Sequence, residues 1–399
     1  MNTPTLTDHA TAYLHHLCAE IPTRRLGSAG NRAATDFVAR VLASHGFAVE
    51  CPAFACLDWT QNGARLAAGT ATFAVNISPY SRGVHAHAPL VVISTLRELE
   101  DVDAAGKILL VRGELAREQL MPKNYVFYNP AEHKHIVRLL ETKSPRALVA
   151  ATTRNPEMAG AVYPFPLIED GDFEIPCVFT TEDEGKRLAA QSGQLVALDI
   201  HAERIPATGC NVIARKGARN PRLVLTAHVD TKEGTPGALD DAAGVVTLLL
   251  LAELLRDARV TRGVEILIIN GEDHYSAAGE LNYLASARLA EIELCINLDD
   301  LGYREGDTAF SFYECSAVLQ QTLRATFARY PGIVEGAQWY QGDHMVFVQN
   351  QIPALALTSE KIFELMATVA HTSRDVPALV DVEKLATVAR ALREWLIGN

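Results

Sequence analysis

The chain has 399 residues, 48% of them hydrophobic and 21% charged, enough for two domains or for one domain with an insertion. Its 36 basic and 48 acidic residues give a formal net charge of -12 with no basic stripe, which makes nucleic acid and anionic membranes poor partners. The seven cysteines are scattered and lack a CxxC pair, the start is not basic-then-apolar, and no apolar run reaches membrane length; these features read as a cytoplasmic protein with reduced thiols.

Residues 8–48 carry helical periodicity, first through Tyr13, Leu14 and Leu17, then through Ala33, Phe37, Val38, Val41 and Leu42. Gly46 is placed to close the second helix, and 47–50 is extended beyond it. From 51 to 205 the character changes to short strands between Pro- and Gly-rich turns. Strands are expected over 90–94, 107–111, 147–151 and 178–180, with one helix over 130–143. Gly106-Lys107-Ile108-Leu109-Leu110-Val111-Arg112-Gly113 and Ile175-Pro176-Cys177-Val178 loosely resemble the protease-associated domain found inserted in exopeptidases. The segment therefore reads as an inserted β-rich domain, with the aromatic and cationic stretches 79–83 and 123–128 as candidates for substrate selection.

From residue 209 onward strands and helices alternate as βα units. Strands are expected over 211–214, 222–226, 264–269, 294–298, 309–313 and 353–357. The helices are expected over 241–256, 276–288, 316–329, 344–348 and 382–397. The fold expected is α/β, a three-layer αβα sandwich with a mixed, mostly parallel central sheet. Residues 1–50 and 206–399 form it, and 51–205 are the β-rich insertion.

Acidic groups and histidines recur where these strands stop. Leu223-Val224-Leu225-Thr226-Ala227 runs into His228-Val229-Asp230, and Gly237-Ala238-Leu239-Asp240-Asp241 opens a long apolar helix. His228 and Asp230 share one side of a strand, so Asp230 is suited to fix the imidazole tautomer. A core histidine beside a helix cap is the plain alternative, because Asp240 or Asp241 also suits an N-cap. The later strand ends shift that balance. The strand over 264–269 ends in Glu272-Asp273, the next in Asp299-Asp300, and His371 stands in a polar loop before the last helix. Adjacent buried carboxylates repel unless a cation lies between them. Two histidines and three carboxylates suit a pair of metal ions sharing one carboxylate, with a fourth acid left as general base.

The pattern His-x-Asp, Gly-x-x-Asp-Asp-x-x-Gly, Gly-Glu-Asp, Asn-Leu-Asp-x-x-Gly and His-Thr-x-x-Asp resembles the M28 family of zinc aminopeptidases, in order and spacing. That resemblance implies His228 and Asp299 on one metal, Asp273 and His371 on the other, and Asp240 between them. It implies Glu272 as general base and Asp230 as the group orienting His228. Asp241 departs from the family's usual Asn, and Asp273 is shorter than the usual Glu. Tyr340 precedes Gly342-Asp343-His344, where the family often has Ser-Asp-His. Tyr340 is thus a candidate oxyanion donor or simply an aromatic packed under the site. Asp343 and His344 read as supporting residues, with substrate contact by His344 the lesser option, and His274 is placed by position alone to line the pocket.

The expected activity is removal of an N-terminal residue from a peptide, using two divalent ions, zinc first and cobalt or manganese next. Hydrolysis of a small amide or N-acyl compound, a carboxypeptidase or deacylase, a glutaminyl-cyclase-like transferase and a non-catalytic binding module share the scaffold and stay open. The partner expected is a peptide or small amide, and a homo-oligomer is compatible. His85-Ala86-His87 resembles the metal pair of TIM-barrel amidohydrolases, but eight βα units are lacking. His133-Lys134-His135 reads as a solvated helix face.

Overall fold

The computed structural model describes residues 4–21, 23–125, 129–154, 162–218, 220–260 and 262–398. Val126, Phe127 and Tyr128 of the 123–128 stretch fall outside the described residues. The chain divides into two compact units. Unit 1 holds Met1–Cys56, Thr208–Leu365 and Val369–Asn399, and unit 2 holds Leu57–Ala207 with Met366–Thr368.

Unit 1 opens with α1 (Leu6–His15), started by a capping box in which Thr5 and Asp8 satisfy each other's backbone N–H groups. Ser28 caps α2 (Ala29–Ser44), and Gly46, at a φ of 80°, turns the chain out of it as expected. The remaining helices are α3 (Ala243–Leu255), α4 (Ala278–Ser286), α5 (Ala317–Phe327), α6 (His344–Gln349), α7 (Ile362–Thr368) and α8 (Val382–Gly398). None among the described residues is long and apolar enough to cross a membrane.

The strands of unit 1 are β1 (Ala48–Glu50), β2 (Val212–Lys216), β3 (Arg222–His228), β4 (Gly263–Ile269), β5 (Ile292–Leu298), β6 (Thr308–Tyr313), β7 (Ile333–Glu335) and β8 (Ala354–Ser359). They form one sheet in the order β1-β2-β4-β3-β5-β8-β6-β7. The centre, β4-β3-β5-β8, is parallel, with Leu225 level with both Ile266 and Ile296. Its flanks turn antiparallel at β2 and β6. This is the mixed α/β fold that the alternation of strands and helices leads one to expect.

Every residue of β3 and β4 is buried, which is why these runs read as continuous apolar stretches rather than alternating ones. Leu223, Leu225, Val264, Ile266 and Ile268 pack on one face with α1, α3 and α8. Helix α3 is buried on all sides from Ala243 to Ala252, as its apolar circumference demands. Each Val or Leu withdrawn from water there contributes about 1.5–3 kcal/mol. On the other face Tyr283 of α4 meets Phe347 of α6 at a ring separation of 5.9 Å. The parallel centre aims the C-terminal ends of β3, β4 and β5 the same way, and ligands of open α/β sheets bind in that crevice.

Unit 2 carries an eight-stranded sheet. Its strands, in spatial order, are Ala71–Phe73, Ala53–Ala68, Leu195–Cys210, Val84–Ile93, Ile108–Val111, Ala147–Thr152, Cys177–Thr181 and Asn76–Ile77. Among the described residues three α-helices accompany it: Leu96–Asp101, Ala131–Lys143 and Glu182–Ala189. Leu109 and Val111 enter one core, Ile108 and Leu110 another, so this sheet is covered on both faces. The two 16-residue strands are invisible to pattern because most of their residues remain at least partly exposed and their order comes from pairing. His133 corrects the solvated-face reading: it is buried, and its Nδ1 accepts from the Met121 N–H at 3.2 Å. His85 and His87 stand exposed on one strand.

Candidate metal centre

His228 is the last residue of β3, and its ring enters a pocket of carboxylates. Its Nε2 lies 3.0 Å from Asp240 Oδ1 and 3.8 Å from Asp299 Oδ1. His371 approaches from the other side, with its Nε2 3.1 Å from Asp240 Oδ2 and 2.8 Å from Asp273 Oδ1. Two donor triads result, His228–Asp240–Asp299 and Asp240–Asp273–His371, each with its ligand atoms within 4.8 Å of one another. Asp240 belongs to both and turns a different oxygen to each imidazole.

The donor chemistry fits a divalent cation. Asp273 Oδ2 is buried without a hydrogen-bond partner, and an unpartnered buried carboxylate oxygen is costly unless a cation meets it. Burial works against charging His228, yet Asp240 and Asp299 raise it well above the usual histidine range. Burial opposes His371 likewise, and Asp273 and Asp240 overcome it. The pocket thus draws positive charge, and imidazole with carboxylate is the ligand chemistry of zinc-like ions. Glu272 stands beside the triads without joining either. Burial first, then the charges of Asp273 and Asp299 against the pull of His228, push its carboxyl well above the usual range.

The supporting contacts of Asp230 differ from expectation. His228 Nδ1 meets the Asp230 backbone carbonyl at 3.2 Å, whereas the Asp230 carboxylate is 3.9 Å away. That carboxylate instead accepts the N–H groups of Gly271 at 2.5 Å, Glu272 at 3.3 Å and Asp273 at 3.0 Å, and His274 Nδ1 lies 2.9 Å from it. Asp230 therefore shapes the loop that presents Glu272 and Asp273. Burial would raise it, but the hydrogen bond and charge of His274 outweigh this and hold it at about 2. His274 is thus an anchor for Asp230.

Tyr340 and His344 carried substrate contact as one of two readings each. Neither belongs to the donor triads. Tyr340 is 62% exposed and its hydroxyl donates to Gln338 Oε1 at 2.9 Å. His344 is fully buried, with Nε2 3.0 Å from the Trp339 carbonyl and Nδ1 3.4 Å from Asn297 Nδ2. Burial pushes His344 down to about 4, so it stays neutral, and with both ring nitrogens occupied it has none left for a substrate oxyanion.

Three residues that the strand-end pattern did not single out hold the centre. Asp241 accepts from the His228 N–H at 3.2 Å and the Gly244 N–H at 2.8 Å, tying the end of β3 to the start of α3. A Cβ at Gly244 would meet Asp241 Oδ1 at 2.4 Å and the Leu298 carbonyl at 2.3 Å, so only glycine fits. Asp375, four residues past His371, accepts from the Leu239 and Asp240 N–H groups at 2.8 and 3.1 Å. Arg24 buries its guanidinium and donates to the carbonyls of Leu17, Val229, Pro236 and Gly237. Asp375 is in the His-Thr-x-x-Asp motif; the role of Arg24 has no local signal.

Glu280, in the first turn of α4, is a carboxyl at 1% exposure with no partner for either oxygen. Burial above all pushes it up to about 8 from an ordinary 4.5. The folded chain therefore keeps a proton that the unfolded chain releases above 4.5, and stability falls as pH climbs from there to about 8. Glu280→Gln has no proton to lose. Urea unfolding is expected to show equal stability near pH 4 and a gain that grows by about 1.4 kcal/mol per pH unit toward pH 8. A gain independent of pH would mean that Glu280 is ionised in the fold.

A mixed α/β sheet that gathers histidine and carboxylate donors at its C-terminal strand ends defines the class, an α/β protein with a cluster of groups that could hold metal ions. Comparison with known proteins narrows it. Residues 211–396 match the model of peptidase family M28. The aminopeptidase YwaD of Bacillus subtilis is 24% identical over 209 residues, 50% of this chain and 40% of that protein. An aminopeptidase from Aneurinibacillus sp. strain AM-1 has the same fold, with a TM-score of 0.74 at 22% identity over 98% of this chain and 92% of that one. A zinc aminopeptidase from Bacillus subtilis superposes with a TM-score of 0.73 at 18% identity over 99% and 95%. These matches support a peptidase of family M28 over residues 211–396, and with it metal-dependent peptide hydrolysis.

Proposed function

We propose that this protein is an aminopeptidase whose centre holds two divalent ions, zinc in the first place, with Glu272 as general base. The observation that carries this reading is the pair of triads sharing Asp240, one buried and the other with only His371 half-buried, and Glu272 beside them and outside both. His228, Asp240 and Asp299 would hold one ion, and Asp240, Asp273 and His371 the other. Bound there, the ions would polarise a scissile carbonyl and ease deprotonation of water.

The rest is done by the chain. Glu272 takes the proton of the attacking water and returns it to the departing amine, and its raised affinity for a proton suits it to hold one between these steps. Asp230 fixes the loop that aims Glu272 by taking three successive backbone N–H groups. Asp241 and Asp375 hold the turn carrying Asp240 from two sides. Carboxylates whose supports are locked keep donor geometry without rearrangement.

The test is metal content per chain on protein purified without chelator, beside hydrolysis of an aminoacyl-anilide panel. Near two ions with chelator-sensitive cleavage supports the reading. One ion with cyclisation of N-terminal glutamine would move the protein to glutaminyl-cyclase chemistry. No metal even after added zinc would overturn it.

A further inference from the structure

One short stretch of unit 1, Arg24 to Asn31, reaches both loops that carry the metal centre. At its start the Arg24 guanidinium donates to the Pro236 carbonyl at 2.8 Å and the Gly237 carbonyl at 2.7 Å, on the turn that leads into Asp240. Its Nε donates to the Val229 carbonyl at 2.9 Å, next to His228. At its end Asn31, in the first turn of α2, faces Asn270, the residue that joins β4 to Gly271-Glu272-Asp273. The two amides bond each other in both directions. Asn31 Nδ2 donates to Asn270 Oδ1 at 2.7 Å, and Asn270 Nδ2 donates to Asn31 Oδ1 at 3.0 Å.

Both side chains are fully buried, and each amide nitrogen gives its second hydrogen to a backbone carbonyl. Asn31 Nδ2 reaches the Arg24 carbonyl at 2.8 Å, and Asn270 Nδ2 reaches that of Cys210 at 3.0 Å. The Asn270 N–H donates to Asn211 Oδ1 at 3.1 Å, and Asn211 Nδ2 to the Gly279 carbonyl at 2.8 Å, so the amides run on to α4. A buried polar network satisfied in this way is rigid, and removing one member leaves its neighbours unpaired. Leu26 adds a packing contact, since a Cβ on Gly271 would lie 3.1 Å from its Cδ2. Asp230 grips the loop from Gly271 onward, whereas Asn270 fixes where the loop begins.

We infer that Arg24 to Asn31 is a bracket setting the spacing between Asp240 and Glu272, with Asn31 a positioning residue for Glu272 that acts through Asn270. The inference rests on the roles proposed above for Asp240 and Glu272. Asn31 holds the root of the loop and not the reacting atoms, so its loss displaces the base without removing a proton acceptor or a ligand. A displacement of about 1 Å from a change remote from the chemistry can cost about 10²-fold in rate.

The experiment compares wild type with Asn31→Ala, Asn270→Ala, the double variant and Thr35→Val. Thr35 lies one turn further along α2, is equally buried, and its hydroxyl donates to the Arg32 carbonyl of its own helix at 2.9 Å. Thr35→Val therefore removes a buried hydrogen bond of α2 and leaves Asn270 alone. Melting temperatures rank the general loss of stability in each variant. On zinc-loaded full-length protein, Asn31→Ala is expected to lower kcat for an aminoacyl-anilide about 10–10²-fold, with KM within about twofold. The double variant should lose no more than Asn270→Ala alone, because the two amides act as one pair. Thr35→Val should keep the wild-type kcat. Should Asn31→Ala not fold, Asn31→Asp keeps the volume, turns an acceptor toward the Arg24 carbonyl and Asn270 Oδ1, and carries the same expectation.

A second readout needs no turnover. Hydrogen–deuterium exchange of the peptide spanning 270–273 should be at least about 10-fold faster in Asn31→Ala than in wild type or Thr35→Val. Wild-type kcat in Asn31→Ala overturns the positioning role, and so does an equal loss of kcat in Thr35→Val. Wild-type exchange in Asn31→Ala overturns the bracket. Glu272→Gln with wild-type turnover would instead remove the proposed base, and the exchange measurement would still decide whether Asn31 holds the loop.

Discussion

Replacing Glu272 with Gln is expected to lower kcat of the metal-loaded protein about 10²–10⁴-fold while leaving its metal content unchanged. Gln fills the same volume and keeps an acceptor oxygen but cannot receive a proton at working pH. The loop should stay in place, because Asp230 grips it through the backbone N–H groups of Gly271, Glu272 and Asp273, which the substitution leaves intact. Neither donor triad includes Glu272, so metal affinity should hold. Steady-state hydrolysis of a reactive aminoacyl-anilide, with metal analysis of the same preparation, separates the outcomes. Near-wild-type turnover would remove Glu272 from the proton transfers. Loss of metal together with activity would make it a ligand instead.

Asp240→Asn should be the most damaging change to metal binding, because one carboxylate serves both triads. Its Oδ1 faces His228 at 3.0 Å and its Oδ2 faces His371 at 3.1 Å. Asn keeps one oxygen and turns an NH2 group toward the other imidazole, replacing a donor with a group that cannot ligate. Metal content is expected to fall from about two ions per chain to one or none, with turnover lost at least 10²-fold. Asp299→Asn touches only the His228 triad and is expected to cost one ion. Equilibrium dialysis against zinc, followed by elemental analysis of both variants beside wild type, decides this. If Asp240→Asn retains the full wild-type complement, the two triads do not share a ligand.

The strands of unit 1 could be read from sequence because they are buried on both faces. Runs such as Leu223–Ala227 or Val264–Ile269 have no solvent side on which to place polar residues, so a histidine or acid at their end marks the sheet edge where chemistry can begin. His228, Glu272, Asp273 and Asp299 were visible by that rule and Asp240 and His371 through the order and spacing of the motifs, and the structure brings the five donors within two overlapping triads. The short β7 escaped because three residues carry no period; it exists through its pairing with β6, Thr308 opposite Ile333.

Other features depend on contacts between distant segments. Asp230 is two residues from His228, and strand alternation suggested that its carboxylate would serve that ring. In the fold the carboxylate turns to the loop after β4 and His274, some forty residues away, because three free N–H groups there outcompete one imidazole. Asp241 and Asp375 looked like a departure from a motif and the end of one, yet each fastens a piece of chain that sequence cannot bring near. His344 stood beside Tyr340 in a suggestive triplet, and burial consumed both its nitrogens. Local pattern determined which residues could carry the chemistry, because strand ends are set by burial and periodicity over a few residues. Tertiary structure alone decided what each of them touches, because a carboxylate takes whichever unpaired N–H groups or imidazoles the fold brings within 3 Å.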